Sequence, residues 1–113
     1  AQGVVVSGEL DLASAPRLEA AVCAAYQAAH PLDRLLSGCR FLLDLSELTF
    51  LDSDGISALH AAHLEVEQRG DQLHVAGPTA SGPQRLLALA VANGWLGREF
   101  ARGEPTRRTA PTG

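Results

Sequence analysis

One short stretch, "RFLLDL" at Arg40–Leu45, constrains this chain more than any other. It is too brief for a helix of ordinary length, and its apolar density suits a strand buried on both faces. Helical patterns stand on either side of it. Before it, "ASAPRLEAAVCAAYQAAHP" places Leu18, Val22, Ala25 and Ala29 on one stripe, with Ser14 available as a cap, Pro16 in the first turn and Pro31 as the stop. After it, "SDGISALHAAHLEVEQRG" repeats Ile56, Leu59, Ala62 and Val66 at helical spacing and stops at Gly70. A strand held between two such segments belongs to an α/β domain.

The remaining segments continue the alternation. Val4–Val6 is a short β-rich run closed by turn-prone Gly8. "DQLHVAGP" alternates at Leu73, Val75 and Gly77. "SGPQRLLALAVANG" reads as a third helix with Pro83 early and Gly94 at its end. "WLGREF" closes the fold as an edge strand or a short helix, and the connector "LDRLLSG" carries no assignment. Strand, helix, strand, helix, strand, helix predicts a mixed or largely parallel sheet, with a right-handed crossover from Arg40 to Gly77. Residues 1–100 form one domain, possible loss of a first strand included, and residues 101–113 form a flexible tail. The chain begins in mid-pattern at Ala1.

Composition excludes several functions. A hydrophobic fraction of 46% with 19% charged residues is that of a globular chain. The net charge of −4 lacks the basic footprint of a nucleic-acid binder. No apolar run approaches membrane-spanning length and no leader pattern is present, so a cytoplasmic setting without membrane insertion is expected. Cys23 and Cys39 read as buried, reduced thiols. All nine basic residues are arginine, which removes every lysine-dependent mechanism.

Chemistry concentrates in "TFLDSDGIS", Thr49–Ser57. A calcium loop with Gly55 at its sixth position would put Phe50 at the first and Ala61 at the twelfth, so two main ligands are missing. The apolar strand followed by Asp-x-Asp-Gly resembles the first motif of haloacid-dehalogenase-type phosphatases, with Asp52 as nucleophile and Asp54 as acid. That chemistry needs a later acidic pair for magnesium, and none follows. A phospho-receiver with Asp44 as acceptor needs a lysine that the chain lacks. His60 and His63, with Glu67 a turn on, have no evident third ligand, and His63 reads as a structural histidine at the edge of the apolar face. His30 and His74 have no Ser or Cys partner for a nucleophilic triad. No cofactor, metal site or enzymatic activity is therefore expected. As structure, Asp52 or Ser53 caps the helix and Asp54 favours its dipole.

Taken together, "VSGELDLASAPRLEAAV", "FLLDLSELTFLDSDGISALHAAH" and "GDQLHVAGP…VANGWLGREF" resemble the STAS family, domains named for sulphate transporters and anti-sigma factor antagonists. The resemblance runs from Gly3 to Phe100 and is of the bacterial antagonist type. It implies a STAS-like α/β fold with a mixed four- to five-stranded sheet and helices packed mainly on one side. It also implies binding to an anti-sigma factor that is a serine kinase, through Asp52, Ser53, Asp54, Gly55 and Ile56 and the helix they open. Ser53 is then the phosphorylation candidate, with Ser57 a turn further on. Many family members carry a second hydroxyl residue before the glycine; here Asp54 stands there, so the alternative is an unphosphorylated scaffold or ligand-sensing module with a fixed negative charge.

Overall fold

The computed structural model describes residues 2–28 and 40–102. In chain order the elements are β1 (Gln2–Leu10), α1 (Ala15–Gln27), β2 (Arg40–Leu51), α2 (Ser53–Gln68), β3 (Gln72–Ala76), α3 (Ser81–Ala92) and α4 (Glu99–Arg102). The "WLGREF" segment thus resolves as a short helix, which runs on through Ala101 and Arg102 into what the sequence assigned to the tail. Positions 103–113, Cys39, His30, Gly38 and the "LDRLLSG" connector lie outside the described residues.

The α/β class is as expected. Among the described residues the sheet has three strands in the order β1–β2–β3, with both pairings parallel, rather than four or five in a mixed arrangement. The central strand is twice as long as the apolar run suggested, because Ser46–Leu51 continues it beside β1.

One face of the sheet carries the core. Phe41, Leu43 and Leu45 of β2 and Leu73 and Val75 of β3 point into it, whereas Val5 and Leu42 on the opposite face stay exposed. Consequently β2 is buried on one face only, not on both. The helices supply the other half: Leu18, Val22 and Tyr26 from α1, Ile56, Leu59, Ala62 and Val66 from α2, and Leu87 and Ala90 from α3. The α2 stripe is the one read from the sequence; in α1, Tyr26 is buried where the sequence suggested Ala25, which is only half-buried, and Ala29 and Pro31 lie outside the described residues. Helix α1 packs on β1 and α2, α3 packs on β2, and α4 packs on α3 and β3.

Two helix ends follow one design. At α2, Gly70 adopts φ +84°, its N–H donates to the Glu67 carbonyl, and the Asp71 N–H donates to that of Val66. At α3, Gly94 (φ +77°) donates to Val91 and Trp95 to Ala90 in the same pattern. These paired bonds satisfy carbonyls that the helix itself leaves open, and the left-handed backbone they need costs glycine nothing.

Tyr26 ties three elements together. Its ring stacks on Phe41 at 5.2 Å, its hydroxyl donates to Asp71 Oδ2 at 2.8 Å, and the Arg69 guanidinium lies 4.2 Å above the ring centre. Arg69 in turn pairs with Glu65 at 2.7 Å. Burial, reinforced by the hydrogen bond to Asp71, pushes the Tyr26 hydroxyl well above its ordinary pKa.

Candidate functional site

The carboxyl end of the sheet is where β1 turns into α1 and β2 into α2, the usual place for a site in an open α/β sheet. Asp52, in extended conformation, caps α2: its Oδ1 accepts from the Gly55 N–H at 2.9 Å, and its carbonyl accepts from Ile56 N, also at 2.9 Å. Of the two cap candidates, Asp52 is therefore the one that acts. Ser53 and Asp54 follow as the first two helical residues, both exposed, and the Asp54 carboxylate sits in the first turn where the dipole favours it.

Gly55 is fixed by a neighbour. A Cβ at this position would lie 2.3 Å from the Leu10 carbonyl oxygen and 2.6 Å from Leu51 Cδ1. The α2 backbone can approach the end of β1 this closely only because residue 55 has no side chain. The same approach buries Gly55 and Ile56, the latter to 7% exposure within the core. Of the five residues assigned to partner binding, Asp52 is half-buried, Ser53 and Asp54 face outward, and Gly55 and Ile56 hold the turn from behind. Ser57 is also exposed.

The neighbouring β1–α1 turn is locked separately. Ser14 Oγ accepts from Asp11 N at 2.9 Å and lies 2.9 Å from the Glu9 carbonyl as a donor, while Asp11 Oδ1 accepts from Ser14 N at 3.1 Å. Ser14 occupies the cap position of α1 but makes no side-chain bond to that helix; its hydroxyl is spent on the turn. Pro16 sits in the first turn as expected. This locked turn lifts Leu12 into solvent at 71% exposure, and Phe50 at the end of β2 is 47% exposed. The sheet end thus presents two apolar side chains together with the acids Glu9, Asp11, Asp52 and Asp54.

The competing chemistries fare as follows. Asp52 is committed to its cap, and among the described residues no third carboxylate or imidazole joins Asp52 and Asp54 within metal-binding distance. Asp44 lies inside β2, not at its end, with Oδ1 accepting from Ser46 N at 2.9 Å. His60 and His74 are exposed, and Cys23 is a half-buried free thiol, less buried than expected. His63 is buried, and Glu67 and Glu99 stand beside it, so a third donor that the sequence did not reveal comes from α4, while exposed His60 lies outside the group.

Leu12 and Phe50 were not legible as site residues. For the first, "ELDLAS" offered no way to tell Leu12, which is exposed, from Leu10, which is buried. The second was hidden by the departure of β2 from strict alternation. Glu99 carries no local signal at all, since it reaches His63 from 36 positions away.

Three comparisons bear on identity. Residues 1–97 match the family model described as "Mlab, STAS domain". A crystal structure of a sulfate transporter family protein from Wolinella succinogenes is similar in fold, with a TM-score of 0.59 at 20% identity over 88% of this chain and 75% of that one. No curated protein matches the sequence. Among the described residues, no helix is long and apolar enough to cross a membrane. With the family match spanning nearly the whole described chain, the protein belongs to the STAS domain family, whose members mediate protein–protein interaction.

Proposed function

We propose that this STAS domain is a cytoplasmic anti-sigma factor antagonist. It docks on an anti-sigma factor of the serine-kinase type through the Asp52–Asp54 turn, and phosphorylation of Ser53 breaks the complex. The observation that carries this reading is the exposure of Ser53 and Asp54 on a helix start whose position is set by a buried glycine. A docking surface built this way is rigid before the partner arrives, so little ordering entropy is spent on binding. Leu12 and Phe50 give it apolar contact area, and the surrounding acids favour a basic partner surface.

Phosphate at Ser53 would add about 1.5 to 2 negative charges at the first residue of α2. A helix N-terminus accommodates such a group, so the domain itself stays folded. The penalty falls on the complex, through repulsion and desolvation at the partner surface. In this role the chain is a binding partner and a kinase substrate and catalyses nothing itself.

The test is to incubate the protein with its partner kinase and ATP, locate phosphate by mass spectrometry and follow the complex by size-exclusion chromatography. Phosphate on Ser53, absent from Ser53→Ala, together with dissociation of the complex, is the expected result. A stable complex without phosphate would remove the switch and leave the docking role. A second reading rests on Asp54, an exposed carboxylate where the family resemblance implies a hydroxyl in many members: the module is then an unphosphorylated scaffold or ligand-sensing module with a permanent negative charge. Under that reading, Asp54→Ser gains phosphorylation and loses partner binding on modification.

A further inference from the structure

We propose that His63, Glu67 and Glu99 form a site for a divalent transition-metal cation of the Zn²⁺ class, joining α2 to α4. His63 and Glu67 lie one turn apart on α2, and Glu99 is the first residue of α4. His63 Nε2 is 2.9 Å from Glu67 Oε2 and 3.8 Å from Glu99 Oε1, and the three potential ligand atoms lie within 4.8 Å of one another. Four-coordinate zinc with bonds of about 2.0–2.2 Å separates its ligand atoms by about 3.4 Å, a value these two distances bracket.

The imidazole is the second, independent observation. His63 is 9% exposed, and its Nε2 is fully buried and makes no hydrogen bond among the described residues. The approach to Glu67 is short but off the line that a ring N–H would need. A buried polar atom without a partner is uncommon and calls for a cause. Here Nε2 points into a space edged by two carboxylate oxygens. A neutral imidazole and two carboxylates supply an N/O donor set of charge −2, matched to a divalent cation; Mg²⁺ and Ca²⁺ prefer oxygen donors alone.

The surroundings hold the donors in place and leave a way in. The Phe100 ring packs edge-on against His63 at 5.9 Å, fixing the imidazole plane. At Gly97, a Cβ would come within 2.5 Å of Glu99 Oε1 and 2.9 Å of His63 Cε1, so a side chain here would push Glu99 and His63 from their present positions. The side chains of Glu67 and Glu99 are 56% and 34% exposed, which opens the remaining coordination positions to water. A cation held here would staple α4 to α2, and because the unfolded chain lacks the site, binding would add directly to stability.

The test titrates the full chain, kept reduced, with Zn²⁺ alone by isothermal calorimetry and by thermal unfolding. Mg²⁺ serves as the control, and Co²⁺ as a spectroscopic probe. One equivalent of Zn²⁺ should bind and raise the melting temperature. Co²⁺ should give d–d bands without the charge-transfer absorption of thiolate ligation. E67Q and E99Q change partly exposed side chains and keep the fold, so they report binding even where H63Q is too unstable to read. Each should weaken Zn²⁺ binding by more than the roughly 10–100-fold that loss of an outer-shell partner costs. No Zn²⁺ binding would overturn the site and leave a buried imidazole beside two carboxylates. Binding unchanged in E67Q and E99Q, or thiolate absorption with Co²⁺, would overturn it by placing the metal elsewhere.

Discussion

At residue scale, Gly55 decides how the docking turn is built, and its replacement reverses an ordinary rule. Alanine is favoured over glycine inside a helix by about 1 kcal/mol. At position 55 the added methyl meets the Leu10 carbonyl at 2.3 Å, and backbone cannot step aside as a flexible side chain could. Gly55→Ala should therefore destabilise the fold by about 1–3 kcal/mol or more, the cost of overpacking. Gly82, in the first turn of α3, has nothing within 4 Å of its would-be Cβ. Gly82→Ala should stabilise by about 0.4–1 kcal/mol through the unfolded chain. Urea midpoints of the two variants moving in opposite directions would separate packing from propensity. The sequence revealed this glycine's presence at a helix start, but not the reason for it, because the atom it avoids belongs to β1.

At the scale of elements, the lesson lies in β2. Its register against β1 slips twice: Val5 and Ser7 face Asp44 and Glu47, and Gly8 and Glu9 face Leu48 and Phe50. Each slip places an extra residue in β2, so the buried positions run Phe41, Leu43, Leu45 and then Leu48 and Leu51. Period-two reading recognises the first three and loses the last two, which is why the strand read from the sequence ends at Leu45 and the one in the structure at Leu51. The helices have no such break: the α2 stripe was legible residue by residue and Gly70 and Gly94 marked the helix ends, whereas in α1 the small Ala25 was read into the stripe and the larger Tyr26 fills the core. The bulges make a distinct prediction. Regular alternation would put Leu48 and Phe50 on the same face, yet Leu48 is 1% exposed and Phe50 47%. Leu48→Ala should cost about 2–5 kcal/mol. Phe50→Ala should cost about 1 kcal/mol or less in stability, while weakening the proposed partner complex. Equal losses at the two positions, measured by urea unfolding, would argue against the bulged register.

For the whole molecule, the α/β class followed from the order of periodic segments, while the one-sided sheet did not, because an apolar run such as Phe41–Leu45 reads alike whether one face is covered or two. Composition also sets how the folded molecule answers to alkaline pH. The chain has one tyrosine and no lysine, so few groups titrate near pH 10. In the folded state Tyr26 holds its proton above the ordinary tyrosine value, chiefly because it is buried at 4% exposure and also because its hydroxyl donates to Asp71. In the unfolded chain the phenol ionises near about pH 10. Above that pH the unfolded chain binds fewer protons than the folded one, so stability is fully present below pH 10 and falls as pH rises past it. The limiting slope for one proton is about 1.4 kcal/mol per pH unit. Tyr26→Phe keeps the stacking on Phe41 and loses the titrating hydroxyl, so it should be less stable than the parent at neutral pH and approach it as pH rises from 9 to 11. Thiol ionisation is common to both proteins and cancels in the difference. Parallel stability curves across that range would mean that Tyr26 ionises as easily folded as unfolded, and that the clamp joining α1 to β2 and to the turn between α2 and β3 does not hold in solution.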